Sequence, residues 1–208
     1  MKHQDGLAIE RQHGPPTKSW EVRDGDRIQM MMPVPFEPRA QFAIEPSGAH
    51  LTGWNAEYVL RTSRDGRDTV ALFGRTTTPV PVPASERTRI VDERVASIRR
   101  SNPHGTSEQV LRIAFDPSLI PDHYPAYEGV SVDRAGRRWV RLGGPDTTRV
   151  AFDLFDTDGR WLDSLGVKAA DWTANAWGPE AWSRTEVAVL LEGEDGRPLV
   201  RVFSIVRQ

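Results

Sequence analysis

The stretch Val130-Ser-Val-Asp-Arg-Ala-Gly-Arg-Arg-Trp-Val-Arg141, followed by Val150-Ala-Phe-Asp-Leu-Phe-Asp-Thr-Asp-Gly-Arg-Trp-Leu162, decides the fold of this chain. In each segment an alternating apolar run stops at a tight turn that contains glycine and then resumes. This is the pattern of two antiparallel strands joined by a short hairpin. Two such hairpins in tandem predict one four-stranded antiparallel sheet.

The composition is that of a folded globular protein. The chain has 208 residues, of which 38% are hydrophobic and 27% are charged, and all-β domains of this length commonly form a single unit. The net charge of −2 gives no reason to expect nucleic acid or an anionic membrane surface as a partner. The absence of cysteine excludes disulfides, thiolate nucleophiles and cysteine metal sites. No stretch has the length of a membrane span.

Further turn signals divide the chain into strand-rich units. Gly25, Gly48, Gly66 and Gly196 lie between apolar runs, where glycine supplies the positive φ that a hairpin turn needs. The predicted units are a hairpin at 20–29, a second unit with strands at 40–44, 58–61 and 69–73, a third at 130–162, and a fourth at about 176–206 with strands at 186–191 and 199–206. The predicted fold class is therefore all-β.

A different pattern separates the second and third units. The Pro-rich linker of residues 78–83 indicates extended chain without sheet partners. After it, apolar residues such as Val91 and Val95 recur at helical spacing. This predicts an amphipathic helix over residues 85–100 with Ser85 as its N-cap. Charges of both signs on the opposite side of this helix indicate a solvated surface.

Seven features follow one another along the chain. They are Pro35-Phe-Glu-Pro-Arg39, the turn at Gly48, Glu57-Tyr58 at the start of a strand, the Pro-Val-Pro linker with its charged helix, Ile120-Pro-Asp-His-Tyr-Pro-Ala126, Val132-Asp-x-x-Gly-Arg-x-Trp-Val140 and Phe155-Asp-x-x-Gly-Arg-Trp-Leu162. Their order resembles that of the bacterial six-bladed β-propeller proteins related to NHL-repeat domains, and the resemblance extends from about residue 18 onward. It implies β-propeller blades of four-stranded antiparallel sheets, about three of the six in a ring, with one inserted helix.

The resemblance also implies a domain organisation. We expect residues 1–17 to form a flexible N-terminal segment and residues 18–208 a partial β-propeller domain, with the linker and helix inserted at about 76–126. Because an open half-ring leaves blade faces uncovered, three arrangements stay open: a truncated chain, which we favour, a homodimer that closes the ring, and a different compact β arrangement. The first residues hold no apolar run long enough for a signal peptide, whereas members of this family are typically exported to the periplasm or the cell exterior.

Six residues are candidates for ligand binding, because the propeller topology places them in loops at a face or at the central channel. They are Arg39, Trp54, Asn55, Asp122, His123 and Tyr124. Aromatic and guanidinium groups give large contacts and fixed hydrogen-bond geometry. The competing interpretation is structural packing between blades, which we also expect for Trp139 and Trp161. A tryptophan series at Trp172, Trp177 and Trp182 is open to the same two interpretations, as a carbohydrate-binding surface or as core.

No strong catalytic motif is present. The chain lacks a nucleophile elbow, a His-Glu-x-x-His zinc motif and a phosphate-binding glycine loop. The string Asp153-Leu-Phe-Asp-Thr-Asp158 offers carboxylates, but Leu154 stands where an EF-hand requires an oxygen ligand, and Asp158 followed by Gly159 favours a hairpin turn. The five histidines are scattered without ligand spacing. We therefore predict no catalytic residue, no metal and no cofactor.

The sequence favours a noncatalytic binding or protein-interaction module whose ligand is an unidentified small molecule or protein. The alternative is a calcium-dependent propeller hydrolase of the lactonase type, with the metal held in the channel by carboxylate and amide oxygens. Its candidate ligands are Asn55, Asn102, Asp122 and Asn175. RNA binding would need a clustered arginine surface, which the mixed-sign sequence does not predict.

Overall fold

The fold is described by a computed structural model for residues 17–146, 148–168, 181–182, 186–192 and 198–204. These residues form four antiparallel sheets, two α-helices and one short 3-10 helix, so the predicted all-β fold class is confirmed. The elements, in chain order, are β1 (Ser19–Asp24), β2 (Arg27–Pro33), β3 (Ala40–Ile44), β4 (His50–Trp54), β5 (Val59–Ser63), β6 (Ala71–Gly74), α1 (Ala84–Ser101), α2 (Glu108–Ala114), the 3-10 helix Pro117–Leu119, β7 (Gly129–Val132), β8 (Arg138–Arg141), β9 (Arg149–Phe155), β10 (Trp161–Lys168), β11 (Ala181–Trp182), β12 (Glu186–Glu192) and β13 (Pro198–Ser204).

The chain divides into two compact units. The first, which we call the sheet unit, includes residues 40–77 and 126–208. The second, the helical unit, comprises residues 14–39 and 78–125. The expected N-terminal segment at 1–17 and the expected insertion at 76–126 stay predictions.

The sheet unit contains two four-stranded sheets in which consecutive strands are hydrogen-bonded neighbours. The first sheet has the order β3-β4-β5-β6 and the second the order β7-β8-β9-β10. The second is the sheet that residues 130–162 predict, and its hairpins turn at Gly136 and Gly159, both with positive φ. A three-stranded sheet, β11-β12-β13, lies in the fourth predicted unit. This meander order is that of propeller blades. Strand β4 is an element that the sequence patterns do not predict.

The two four-stranded sheets bury a common core. Because strand side chains alternate between faces, Leu51 and Leu60 of the first sheet point to the same side, and both are fully buried. They cluster with Tyr127 and with Val140 and Phe155 of the second sheet. One face of each four-stranded sheet therefore contributes its side chains to this core.

The helical unit packs the β1–β2 hairpin with the helices around Trp20, Val95, Leu111 and Phe115. The predicted hairpin is confirmed, with Trp20 opposite Met32 in its register. The indole nitrogen of Trp20 donates a 3.1 Å hydrogen bond to the backbone oxygen of Asp116. This bond satisfies the polar atom of an otherwise apolar core residue.

The predicted helix is confirmed as α1, whose buried residues are Val91 and Val95. The prediction that Ser85 is its N-cap is wrong, because the helix begins one residue earlier, after Pro83, and has no side-chain cap. The second helix, α2, was not predicted. Its N-cap is Ser107, whose side chain accepts a hydrogen bond from the backbone nitrogen of Val110.

The linker before α1 was predicted to lack sheet partners, and this is wrong in one place. An isolated antiparallel bridge joins Pro81 to His123. The backbone nitrogen of Val82 donates a 2.8 Å hydrogen bond to the backbone oxygen of Asp122. The backbone nitrogen of Tyr124 donates a 2.9 Å hydrogen bond to the backbone oxygen of Val80. Proline lacks a backbone N–H donor but keeps its carbonyl oxygen. The valines that alternate with the prolines, Val80 and Val82, therefore still supply the backbone hydrogen bonds of a short pairing.

Candidate functional site

Hairpin connections gather at one end of the two four-stranded sheets. At the β9–β10 turn the backbone nitrogen of Gly159 donates to the oxygen of Asp156, and the Asp156 carboxylate accepts from the backbone nitrogens of Asp158 and Arg160. The β7–β8 turn repeats this arrangement around Asp133. An aspartate that caps its own turn and a glycine with positive φ make these connections rigid.

These connections border a groove, which we call the turn-end groove, with a volume of about 590 Å³. Its lining includes Glu45 and Ser47 of the β3–β4 turn, Arg64 of the β5–β6 connection, and Thr157 and Asp158 of the β9–β10 turn. Loops on a rigid sheet scaffold are where binding residues concentrate, and the volume falls within the range of small-molecule sites. The groove is therefore the candidate ligand site of the sheet unit.

A buried ion pair forms part of the groove wall. The Nε and Nη2 atoms of Arg138 each lie 2.8 Å from Oε1 of Glu45, and the two side chains are only 4% and 12% exposed. Arg138 also donates a 3.0 Å hydrogen bond to the backbone oxygen of Asp156, and its guanidinium carbon lies 4.8 Å from the ring centroid of Phe73. One guanidinium thus ties together the ends of β3, β6, β8 and β9, and its role is structural.

The exposed charges of the groove are Arg64 and Asp158. Neither side chain forms an ion pair within the part of the chain that the structure describes. Thr62 also lines the groove, and its buried hydroxyl oxygen has no hydrogen-bond partner among the described residues. Buried polar atoms almost always have partners, so the Thr62 hydroxyl in the groove wall is unusual, and Arg64 and Asp158 are the two groove charges that no described residue pairs with.

A second polar cluster lies around Asp153 in β9, whose side chain is 1% exposed. Its carboxylate accepts 2.8 Å hydrogen bonds from the Tyr58 phenol and from Nη1 of Arg75, and a further bond from the Ser164 hydroxyl. The Arg75 guanidinium also lies over the ring of Trp161, 4.8 Å from its centroid. All three donors bond to the same carboxylate, so the cluster compensates the buried charge of Asp153.

Burial raises the pKa of Tyr58, and the hydrogen bond to Asp153 raises it further, because a phenolate beside a carboxylate is unfavourable. Burial also raises the pKa of Tyr127. Unlike Tyr58, Tyr127 has a buried hydroxyl without a hydrogen-bond partner among the described residues. Both phenols are therefore held neutral.

The first sheet carries exposed apolar side chains on the side opposite its core. Phe42, Ile44, Val59 and Leu72 are 52%, 61%, 46% and 66% exposed. Phe42, Thr52, Arg61 and Leu72 are paired in one row across the four strands, which places them on one face. We call this the outer face of the first sheet. Thr52 and Arg61 lie between the apolar side chains of this row, so the outer face combines exposed apolar groups with polar ones.

The six predicted ligand residues divide between the two units. In the sheet unit, Trp54 ends strand β4 half-buried, and Asn55 is buried and donates a 2.8 Å hydrogen bond to the backbone oxygen of Tyr127. The helical unit holds the other four. Asp122 pairs with Arg87 at 2.6 Å, and Tyr124 is buried with its ring 4.6 Å from that of Phe36. Arg39 and His123 are exposed. Their role in ligand binding stays a prediction.

The tryptophan predictions have mixed outcomes. Trp139 is 1% exposed, in agreement with its predicted packing role. The prediction that Trp161 packs between blades is wrong, because this side chain is 48% exposed beneath Arg75. Trp172 and Trp177 lie outside the described residues, and of Trp182 only its place in strand β11 is described.

The string Asp153–Asp158 forms the end of β9 and a hairpin turn, as predicted. Within the described ranges, no group of three or more His, Asp and Glu residues is placed to hold a metal ion. Of the candidate calcium ligands, Asn102 is the C-cap of α1 and Asn175 lies outside the described residues.

The comparisons with known proteins do not assign a family. No protein-family model matches the chain, and a search of curated proteins found no match. No helix among the described residues is both long and apolar enough to span a membrane. Functional inference therefore depends on the surfaces described above.

Proposed function

We propose that this protein is a noncatalytic binding module of the six-bladed, NHL-repeat-like propeller type, and that it associates with a second copy of itself through the outer face of the first sheet. The observation that carries the proposal is the set of apolar side chains on that face. Phe42, Ile44, Val59 and Leu72 lie opposite a face that already contributes the core. A sheet with two apolar faces needs a partner on each.

The last sheet supplies the complementary surface. Val200 and Val202 in β13 are 61% and 57% exposed and, two residues apart, share one face. We propose that this face packs on the outer face of the first sheet of the other copy. Two copies related by a twofold axis then make the same contact twice, and both of these faces are covered in each copy.

The size of the face favours this paired arrangement. A face of four strands and five residues measures only about 15 by 17 Å, whereas a stable interface buries about 800 Å² on each partner. A single contact, at about 250 Å², is far below that area, and two equivalent contacts, at about 500 Å² on each partner, come nearer to it. The ring closure expected from the propeller resemblance has the same geometry.

Light scattering on the purified chain tests the proposal. We expect a mass of twice the 23.3 kDa chain, and we expect Leu72→Asp to yield a monomer, because a buried carboxylate without a partner is strongly unfavourable. Ile113→Asp is the matched control, since Ile113 is a similarly exposed apolar residue, at 73%, on α2 and is not part of the outer face. A wild-type monomer at all concentrations, or a mass that Leu72→Asp does not change, would overturn the proposal.

Engineered cysteines test which faces meet. The chain has no cysteine of its own, so a disulfide between copies reports only the positions introduced. We expect mixed Phe42→Cys and Val202→Cys chains to cross-link with each other. Cross-linking of Phe42→Cys only with itself would show that two first sheets meet, and would contradict the proposed pairing.

A further inference from the structure

The turn-end groove has two exposed charges, and they play no part in the proposed self-association. Arg64 and Asp158 line the groove from different connections, β5–β6 and β9–β10, and no ion pair joins them. Both are exposed, whereas the Glu45–Arg138 pair behind them is buried and internally compensated. The groove therefore presents one cation and one anion that no described residue neutralises.

The ligand that fits such a groove carries both charges itself. A guanidinium recognises a carboxylate through two parallel hydrogen bonds, and a carboxylate accepts from an ammonium group. Ser47 and Thr157 line the same groove, and their hydroxyls can form hydrogen bonds to peptide groups. Thr62 has a buried hydroxyl without a partner, which is an unusual state in a folded protein.

We infer that the turn-end groove binds a short zwitterionic peptide, with its C-terminal carboxylate at Arg64 and its N-terminal ammonium at Asp158. The 590 Å³ volume accommodates a ligand larger than a single small amino acid. A tripeptide has an extended length of about 10 Å. The chemical class follows from the two opposite charges, which belong to different connections, and from the hydroxyls that line the same groove.

The probe is unmodified tri-alanine, followed by chemical-shift changes of the full-length protein and by calorimetry. The matched ligand control is tri-alanine with an acetylated N-terminus and an amidated C-terminus, which has the same shape without either charge. We expect the unmodified peptide to bind, and its affinity to fall by about tenfold in Arg64→Gln and in Asp158→Asn. Because the charges are exposed, the affinity should also decrease as salt increases.

Arg67→Gln is the matched protein control, because Arg67 is an exposed arginine of the same connection that does not line the groove. It should bind tri-alanine as the wild type does. Equal binding of the blocked peptide, unchanged binding in both groove variants, or no shift at about 10 mM peptide would overturn the inference. The altered side chains are exposed, so thermal unfolding of each variant should match that of the wild type and confirm that the fold is intact.

Discussion

Tyr58 donates a 2.8 Å hydrogen bond from its phenol to the buried carboxylate of Asp153, a residue 95 positions further along the chain. The ring of Tyr127 lies 5.6 Å from that of Tyr58, between centroids, yet its hydroxyl has no partner among the described residues. Two buried tyrosines of one core thus differ in whether the phenol is hydrogen-bonded.

Removing each hydroxyl should have opposite consequences. Tyr58→Phe takes a donor away from a buried carboxylate, and we expect it to lower the free energy of unfolding by about 1.5–3 kcal/mol. Tyr127→Phe removes an unsatisfied polar atom and should leave that free energy unchanged or raise it. Urea unfolding of the two variants measures both. A larger loss in Tyr127→Phe than in Tyr58→Phe would contradict this account of the core.

The buried Arg138–Glu45 pair predicts a large effect at Glu45. Glu45→Ala leaves a guanidinium that is 4% exposed without its counter-charge, and we expect a loss of about 3–5 kcal/mol in the free energy of unfolding. The control is Glu128→Ala, because Glu128 and Arg141 form a 3.0 Å pair whose side chains are 36% and 32% exposed. That variant should lose less than about 1 kcal/mol. Similar losses in the two variants would show that burial does not distinguish the pairs.

The close contact between Gly53 and Tyr127 predicts that a second substitution can recover stability lost by the first. A Cβ atom at this position would overlap the Tyr127 hydroxyl and would lie 2.8 Å from the backbone oxygen of Val59. Gly53→Ala should therefore destabilise the sheet unit by about 2 kcal/mol or more. Adding Tyr127→Phe removes the closest atom and should recover part of the loss, which a double-mutant cycle measures. Additive effects of the two substitutions would contradict the contact.

The tyrosines also predict a pH dependence. Burial raises the pKa of all three, Tyr58, Tyr124 and Tyr127, above the ordinary value of 10. Above pH 10 the unfolded chain releases phenolic protons that the folded chain retains, so the free energy of unfolding should decrease as the pH rises. Absorbance at 295 nm, followed together with circular dichroism, should show phenolate only where the fold is lost. A tyrosine that titrates near pH 10 with unchanged dichroism would disprove this.

The hairpins could be predicted from the sequence because their determinants are local. In the β7–β8 and β9–β10 turns, an aspartate caps backbone nitrogens two and four residues ahead and a glycine adopts positive φ. The motif that carries each turn is contiguous, so spacing alone reveals it. Strand β4 was not predicted, although it is as long as β3 and β5, because it contains Gly53, which weakens a strand signal.

The groove and the buried clusters could not be predicted, since they depend on tertiary contacts. Arg138 reaches Glu45 across 93 positions, and Arg75 reaches Asp153 across 78. Arginine and aspartate in a strand indicate a solvated face unless the partner is known. The one available signal was Asp153 within an otherwise apolar run, where an unpaired charge would be costly.

The long reach of the Tyr58–Asp153 bond has a kinetic consequence. The turn hydrogen bonds around Asp133 and Asp156 close loops of a few residues, whereas the Tyr58–Asp153 bond requires two sheets to meet across 95 positions. Distant contacts form at a greater entropic cost and generally later than local ones. Loss of that bond should therefore accelerate unfolding and leave refolding nearly as fast, so the bond acts chiefly on how long the folded molecule persists.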